Sequence, residues 1–200
     1  MKLMVGITTY NNLDNIDNIE KTFNLNGIDV CVVDDYSTDG LQEEMKKRNI
    51  KYQLTPYKIG APGKARNMII EKALAKKCTH ITFLDGDDRL LSLENVVKKI
   101  DKRADFIYTQ MITSYKNIDI ITINSLMNFS GCYSGYDLMK VPDFMRIFIS
   151  NGGRIYKLSC IKKNNLWYSD DLPGQDTVFN TKFRKRADFF QIILDEKYYV

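Results

Sequence analysis

Residues 80–88, which read HITFLDGDD, combine a short apolar run with an abrupt acidic end. The run is short for a helix and has the β-branched and aromatic content of a buried strand. Two similar runs lie upstream at residues 3–8 and 28–33, and a shorter one covers residues 51–54. Because helical periodicity lies between these runs, the chain is predicted to form parallel βαβ units. We therefore expect an α/β fold with an open, mostly parallel sheet and helices on both faces.

The remaining patterns complete this organisation. Helices are predicted over residues 11–23, 41–48, 64–77, 93–100, 143–149 and 177–186. Further β-rich runs cover residues 106–111, 118–123, 154–156 and 189–194. No internal repeat or low-complexity linker separates these elements. Residues 1–200 are therefore predicted to form a single domain with two halves, 1–100 and 101–200.

Composition limits the class of protein. Of the 200 residues, 44% are hydrophobic and 27% are charged, which is typical of a soluble globular domain. No apolar run approaches the roughly 18 residues that span a bilayer. The N-terminal run becomes polar at Thr8 and Thr9, too early for a signal peptide. A cytoplasmic location is therefore expected.

Charge and cysteine content limit the classes of partner and cofactor that the protein can have. The 29 basic and 25 acidic residues give a net charge of +4, and because acids are interleaved with the bases we predict no nucleic-acid partner. The four cysteines are widely spaced and form no C-x-x-C motif, so neither a zinc site nor a disulfide framework is expected. His80 is the sole histidine, which excludes a mechanism with two histidines, and we interpret it as structural.

The position of the candidate site follows from the predicted topology. In an open parallel sheet, ligands bind at the carboxyl ends of the strands. These ends are followed by Thr8 and Tyr10, by Asp34 and Asp35, and by the acidic run at 85–88. Carboxylates gathered at one edge repel one another unless a cation lies among them. Hard oxygen ligands favour Mg²⁺ or Mn²⁺, which complete their coordination with substrate phosphates, so a diphosphate-bearing substrate is expected.

Other interpretations of these motifs fit less well. Asp85 and Gly86 could form a hairpin turn, but a second acidic strand end weakens that interpretation. A calcium-binding loop would need Gly and Glu where the chain has Leu90 and Val96. Residues 60–64 resemble a phosphate-binding loop only in part, because the second glycine comes too early and Ser or Thr is missing. The lack of G-x-G-x-x-G after the first strand argues against a dinucleotide oxidoreductase.

Four motifs occur in the order and spacing of a known family. They read ITTYN at residues 7–11, VVDDYSTDG at 32–40, GKARN at 63–67 and FLDGDD at 83–88. In these motifs the chain resembles the family 2 glycosyltransferases, which are inverting enzymes with the GT-A fold. Residues 151–183 resemble the acceptor-side segment of bacterial polysaccharide glycosyltransferases. The resemblance implies that residues 1–100 bind a nucleotide sugar and that residues 101–200 face the acceptor.

The resemblance implies a nucleoside pocket built from the first three motifs. Asp35 would accept a hydrogen bond from uracil N3–H, and Thr8 and Tyr10 would line the same pocket. Arg66, at the start of its helix, would lie near the nucleotide, where its fixed charge and planar guanidinium suit a base or a phosphate. UDP-sugars are therefore the expected donors.

The resemblance also assigns roles to the acidic run. Asp85 would lie against the ribose and the hydration shell of the metal ion, and Asp87 would bind Mn²⁺ or Mg²⁺ directly. Gly86 and Asp88 belong with the substrate-binding residues, and Asp88 could orient either of its neighbours. The metal would neutralise the charge that develops on the departing nucleoside diphosphate.

The catalytic base implied by the resemblance is Asp176. It would take the proton of an acceptor hydroxyl as the oxygen attacks the anomeric carbon, which inverts the configuration. Members of the family usually have Glu before this aspartate, whereas this chain has Gln175. The structural alternative for Asp176 is an N-terminal cap of the predicted helix, and Asp170 or Asp171 are alternative bases.

The expected function is a metal-dependent, inverting transfer of a sugar from a UDP-sugar to an acceptor hydroxyl, as in polysaccharide synthesis. The acceptor would be a saccharide, a lipid-linked molecule or a protein. A nucleotidyltransferase on a similar sheet would need a glycine-rich loop after the first strand, which is missing. The alternative is a non-catalytic nucleotide-sugar-binding or partner-dependent scaffold, because Gln175 departs from the family pattern and the C-terminal segment is short.

Two further groups of residues have more than one interpretation. Trp167 and Tyr168 are candidates for stacking on an acceptor sugar or for core packing. The basic residues at 182–186 are interpreted as a solvated helix face. The same charges could draw the protein to the inner face of an anionic membrane, where lipid-linked acceptors reside.

Overall fold

The computed structural model describes residues 1–115, 118–121, 131–134, 151–169 and 174–199, with the backbone alone at residues 110–115, 118–121 and 194–199. The predicted helix around residues 143–149 lies outside the described residues. So do Asp170 and Asp171, the alternative bases.

The described strands and helices follow the predicted alternation through the first half of the chain. The strands are β1 (Leu3–Thr9), β2 (Asp29–Asp34), β3 (Tyr52–Leu54), β4 (His80–Asp85), β5 (Phe106–Tyr115), β6 (Ile118–Ile121), β7 (Gly131–Ser134), β8 (Arg154–Lys157) and β9 (Phe189–Tyr199). The helices are α1 (Ile16–Phe23), α2 (Leu41–Lys47), α3 (Pro62–Ala75), α4 (Leu93–Lys99), α5 (Leu158–Lys163) and α6 (Gln175–Arg184). A short 3₁₀ turn, Leu13–Asn15, precedes α1.

The described strands form one sheet in the order β3-β2-β1-β4-β8-β5-β9-β7, and β6 pairs with β5. Strands β3, β2, β1 and β4 are parallel to one another. β8 is antiparallel to both of its neighbours, β4 and β5, whereas β9 is parallel to β5 and antiparallel to β7. The half of the sheet formed by β3, β2, β1 and β4 is therefore parallel, as predicted, whereas the other half is mixed.

Helices cover both faces of this sheet and divide the core in two. One face buries Met4 and Phe83 against α3, α5 and α6. The other buries Val5 and Leu84 against α1, α2 and α4. Neighbouring strand residues point to opposite faces, which is why Met4 and Val5 belong to different halves of the core. At Gly6, a Cβ atom would overlap the Ile69 side chain, so the glycine lets α3 pack directly on β1.

The helix starts differ from the predicted ones at two positions that matter for the site. α3 begins at Pro62 rather than residue 64, with proline in the first turn, where its missing N–H costs nothing. α6 begins at Gln175 rather than residue 177. Gly174, with φ +77°, occupies the cap position because glycine adopts this left-handed conformation without steric cost. Asp176 therefore lies inside the first turn of α6 and is not its cap. No helix in the described part is long and apolar enough to cross a membrane.

Candidate active site

The strand register brings the predicted site residues to one edge of the sheet. Thr8 of β1 is paired with Asp85 of β4, and Thr9 is paired with Asp34 of β2. A cavity of about 380 Å³ opens at this edge, which is within the range of small-molecule sites. Its lining includes six of the predicted residues, which are Thr8, Tyr10, Asp35, Asp85, Gly86 and Asp87.

Asp85 is held at the cavity wall by two donors from neighbouring elements. Thr8 Oγ1 donates to Asp85 Oδ1 at 3.1 Å, and Arg66 Nη2 of α3 donates to the same oxygen at 2.7 Å. Arg66 is only 4% exposed and does not line the cavity. Burial is the largest single influence and opposes its charge, but Asp85, Tyr168 and Asp176 together outweigh it, so the pKa of Arg66 is raised. A permanent positive charge therefore lies directly behind the carboxylates.

Asp35 organises the loop between β3 and α3. Its Oδ1 accepts hydrogen bonds from the Thr55 hydroxyl at 2.7 Å and from the Ile59 amide at 3.0 Å. Its Oδ2 accepts from the Gly60 amide at 2.8 Å. Among the described residues this is the one donor to Oδ2, so that oxygen keeps a lone pair for a ligand at the cavity. Asp35 thus fixes the loop and can still accept one further hydrogen bond.

Tyr10 forms the exposed rim of the cavity. Its side chain is 39% exposed, and the hydroxyl accepts a hydrogen bond from Lys58 Nζ at 2.5 Å. The same ammonium lies 4.5 Å from the centre of the Tyr10 ring, a cation–π arrangement. Sequence reasoning missed Lys58, whose loop gave no local signal of a role.

The turn after β4 is packed tightly against the loop after β1. A Cβ atom on Gly86 would lie 2.6 Å from Thr9 Oγ1 and would overlap Asn12. Asn15 Nδ2 donates to the Gly86 carbonyl at 2.7 Å and to the Asp88 carbonyl at 3.1 Å. The chain then continues into α4, so this turn does not form a hairpin. Sequence reasoning did not find Asn12 or Asn15, because their contacts depend on a distant turn.

The two last carboxylates of the turn differ in their surroundings. Asp87 is exposed and lines the cavity. Asp88 does not line it, and its amide donates to the Asp85 carbonyl at 3.0 Å, which closes the turn. The described part contains no group of three or more His, Cys, Asp or Glu residues arranged for a metal ion. One or two carboxylates suffice where a substrate diphosphate supplies the remaining oxygens, so Asp87, with Asp85 beside it, fits a substrate-completed Mg²⁺ or Mn²⁺ site.

Residues 60–62 also line the cavity, although they do not form the phosphate-binding loop considered above. They lead into the first turn of α3, whose backbone N–H groups have no partners within the helix. Such a helix start favours a negatively charged ligand. Because proline favours the first turn of a helix, Pro62 is the residue from which this earlier helix start could have been predicted.

Asp176 lies near Arg66 but outside the cavity lining. Burial is the main cause that raises the pKa of Tyr168, and the negative charge of Asp176 adds to the raised pKa of both Tyr168 and Arg66. The neighbouring Gln175 is 5% exposed and packs on α3, where a Cβ atom at Gly63 would overlap its Oε1. The start of α6 is therefore seated on the start of α3, beside the donor-side residues.

The remaining candidates, Tyr168, Trp167 and His80, make mainly packing contacts or lie away from the cavity. Tyr168 is buried, and its ring stacks on Phe179 with centroids 4.0 Å apart, which favours the packing interpretation. Trp167 is half-buried, and its Nε1 donates to Asn165 Oδ1 at 2.7 Å. His80 is buried at the opposite end of β4 from the cavity, and burial lowers its pKa.

Residues 4–163 match the family model described as Glycosyl transferase family 2. This match covers well over half of the chain, and the chain therefore belongs to that family. The predicted family is confirmed, and with it the predicted enzyme class at the level of the family.

A curated relative is the poly(ribitol-phosphate) beta-N-acetylglucosaminyltransferase TarS of Staphylococcus aureus strain Mu50, which is 24% identical over 216 residues. The alignment covers 100% of this chain and 35% of TarS, so the chain spans about a third of the length of that relative.

Solved structures show the same fold. The crystal structure of S. aureus TarS matches with a TM-score of 0.80 at 24% identity, covering 100% of this chain and 36% of that chain. S. aureus TarS 1–349 in complex with UDP matches with a TM-score of 0.78 at 25% identity, covering 100% and 60%. Glucosyl-3-phosphoglycerate synthase from Mycobacterium tuberculosis, in complex with Mg²⁺ and UDP, matches with a TM-score of 0.59 at 12% identity, covering 98% and 70%. These matches confirm the predicted GT-A fold.

Proposed function

We propose that this chain is the donor-binding and catalytic domain of an inverting glycosyltransferase that uses a UDP-sugar. The observation that carries the proposal is the cavity at the ends of β1, β2 and β4, where a hydroxyl, an aromatic ring and three carboxylates converge. Relatives crystallised with UDP and with UDP-GlcNAc support a uridine diphosphate donor. Residues 1–100 would form the donor half, and residues 101–200 the acceptor half.

The nucleoside end of the donor is assigned to the space between Tyr10 and Asp35. The exposed ring of Tyr10 offers an apolar face for a base. Asp35 Oδ2 would accept the hydrogen bond from uracil N3–H in addition to that from the Gly60 amide. Since the same carboxylate holds residues 55–60, the position of the loop and the recognition of the base are coupled. Thr8 lies between this space and Asp85.

The diphosphate end is assigned to the turn after β4. Asp87 would hold Mn²⁺ or Mg²⁺, which when bound would supply positive charge for the departing diphosphate. Asp85 keeps its orientation through Thr8 and Arg66 and would contact the ribose. Gly86 lets the turn pack against Thr9 and Asn12 because it has no side chain, and Asp88 closes the turn through its backbone amide.

The proton transfer is assigned to Asp176. Its carboxylate would take the proton of an acceptor hydroxyl while the hydroxyl oxygen forms a bond to the anomeric carbon. The bond from that carbon to the diphosphate oxygen breaks, and its electron pair leaves with UDP. The place of α6 beside Arg66 supports this role, because a sugar attached to the diphosphate would extend from the cavity toward that helix.

The acceptor is proposed to carry its hydroxyl on a saccharide, a lipid or a protein, with an anionic membrane surface as the route to a lipid-linked acceptor. Lys182 is exposed in the last turn of α6, and Lys185 and Arg186 are exposed in the turn that follows it. Cys160 Sγ donates to the Arg186 carbonyl at 3.7 Å, which places the end of α6 beside α5, where Lys162 is exposed. The protein should therefore co-sediment with vesicles that contain anionic lipid and should not co-sediment with vesicles of neutral lipid. Equal binding to both, or binding unchanged by combined Lys182→Glu and Lys185→Glu substitutions, would contradict this.

A second candidate is a nucleotide-sugar-binding scaffold whose catalysis needs a partner or a further segment. It is favoured by the absence of Asp176 from the cavity lining and by Gln175 next to it. This candidate predicts UDP binding without turnover by the chain alone.

Release of UDP from UDP-sugars in the presence of Mn²⁺ distinguishes these candidates. The chain should release UDP by transfer or hydrolysis, and Asp176→Asn should lower the rate by about 100-fold or more while sparing UDP affinity. Asp188→Asn, a change at an exposed aspartate before β9, is the matched control. A full rate in Asp176→Asn would exclude this base, and binding without turnover by the unmodified chain would favour the scaffold.

A further inference from the structure

The side-chain amide of Asn151 lies buried behind the donor cavity, in the turn that leads into β8. Asn151 is 4% exposed. One end of its amide lies 3.2 Å from both Nη1 and Nε of Arg66. The other end lies 2.8 Å from the hydroxyl of Tyr168 and 3.1 Å from the hydroxyl of Tyr156. The amide therefore joins α3 to two other segments of the chain.

The chemistry of its neighbours determines which way this amide points. A guanidinium group only donates hydrogen bonds, so the atom that faces Arg66 is Oδ1. Nδ2 then donates its two hydrogens to the hydroxyls of Tyr168 and Tyr156. Both lone pairs and both hydrogens of the amide are used in this arrangement. Since an unpaired polar group at this depth is costly, these four bonds favour this orientation, in which Nδ2 also lies 3.3 Å from Asn180 Nδ2 without a hydrogen bond between them.

The two tyrosines are themselves fixed. The Tyr156 hydroxyl donates to Asn180 Oδ1 on α6 at 2.7 Å. The Tyr168 ring is held by its stacking on Phe179 of the same helix. Burial raises the pKa of both tyrosines, so they remain neutral. Asn151 is thus anchored on α6 and presents its oxygen to Arg66.

We propose that Asn151 is a positioning residue of the donor site, which holds the Arg66 guanidinium so that its Nη2 reaches Asp85 Oδ1. Asp85 lines the cavity, whereas Asn151 and Arg66 do not, so Asn151 acts on the donor through both residues. This inference rests on the proposed function, because it takes Asp85 as a donor-binding residue.

A double-mutant cycle on UDP affinity in the presence of Mn²⁺ tests this role. Asn151→Leu keeps a similar side-chain size and removes all four hydrogen bonds of the amide. We expect it to raise the Kd for UDP by about tenfold or more, as is usual when an outer partner of a binding residue is lost. In an Arg66→Ala background, the same change should alter the Kd by less than about twofold, because the residue that transmits the effect is gone.

Val96→Ala is the control for a loss of stability alone. Val96 is buried on the other face of the sheet, so this variant should have a lower Tm and an unchanged Kd. If Asn151→Leu does not fold, Asn151→Ser provides the same cycle with a smaller polar side chain. The inference would be overturned if Asn151→Leu left the Kd for UDP unchanged, or if it raised the Kd by the same factor with and without Arg66. Either result would leave the proposed function standing. Failure of the unmodified chain to bind UDP would refute the proposed function, and this inference with it.

Discussion

Replacement of Gly86 by alanine tests the geometry of the turn that carries Asp85 and Asp87. The new Cβ atom would lie 2.6 Å from Thr9 Oγ1 and 2.9 Å from Thr9 Cβ, and would overlap Asn12. Thr9 Oγ1 donates to Asn12 Oδ1 at 2.9 Å, so either the turn moves away or this bond breaks. Overpacking costs about 1–3 kcal/mol, and the lost hydrogen bond costs about 1 kcal/mol. We therefore expect a loss of about 2–4 kcal/mol in the free energy of unfolding.

Thermal denaturation and UDP titration measure the two consequences. For a domain of this size, the expected loss lowers the Tm by about 4–16 °C. Displacement of the two carboxylates should also weaken UDP binding by about tenfold or more. Gly27→Ala is the matched control: Gly27 has φ +71° and no described atom near its Cβ position. Alanine there should cost about 1–2 kcal/mol through backbone strain and leave UDP affinity unchanged. Wild-type Tm and affinity in Gly86→Ala would refute the packing of this turn.

Three further predictions concern Asp35, His80 and the four cysteines. Asp35→Ala should raise the Kd for UDP by about tenfold and speed hydrogen exchange at the Ile59 and Gly60 amides, which lose their acceptor; unchanged exchange would show that the loop is held otherwise. Burial lowers the pKa of His80 below its ordinary 6.5, so the unfolded state binds more protons below that pH and stability should fall as the pH drops from 7 to 5. Urea denaturation should show that stability falls less between pH 7 and pH 5 in His80→Leu than in the unmodified protein. An equal fall in stability in the two proteins would contradict this. Cys132 is exposed and Cys31, Cys78 and Cys160 are buried, so a thiol reagent should label Cys132 in the native protein and the others only after unfolding; early labelling of Cys31 would indicate a looser core.

The location of the donor cavity could be predicted from the sequence because it depends on local patterns. Alternating strands and helices indicate parallel β1, β2 and β4, and parallel strands bring their carboxyl ends together. The structure agrees with that expectation, because Thr8 at the end of β1 is paired with Asp85 at the end of β4. The side chains that extend directly from these ends, such as Asp35 and Asp87, could therefore be placed without knowledge of the rest of the sheet.

The way in which Arg66 acts could not be predicted from the sequence. A long side chain at the start of a helix can turn toward a ligand or toward the core, and local sequence does not decide between them. In the structure Arg66 turns toward Asp85 because the Asn151 amide, 85 positions further along the chain, holds its other nitrogens. Nothing near Asn151 in the sequence signals this contact.

The strand order in the second half of the sheet also could not be predicted from local sequence patterns. β8 lies between β4 and β5 and is antiparallel to both, although β5 comes only about 20 residues after β4 and β8 much later. Such pairing is determined by long-range packing, here by Tyr156 among aromatic rings of β4, β5 and α6. The early start of α6 depended on the left-handed conformation of Gly174, which a helical pattern does not reveal.

Calorimetric titration with UDP, GDP and ADP, each with and without Mn²⁺, tests whether the cavity is a metal-assisted UDP site. We expect UDP to bind in preference to the other nucleotides and to require Mn²⁺. Asp87→Asn should abolish this dependence, and Asp188→Asn should leave it intact. Binding of no nucleotide, or UDP binding that neither Mn²⁺ nor the Asp87 carboxylate affects, would contradict the assignment of this cavity as a metal-assisted nucleotide-sugar site.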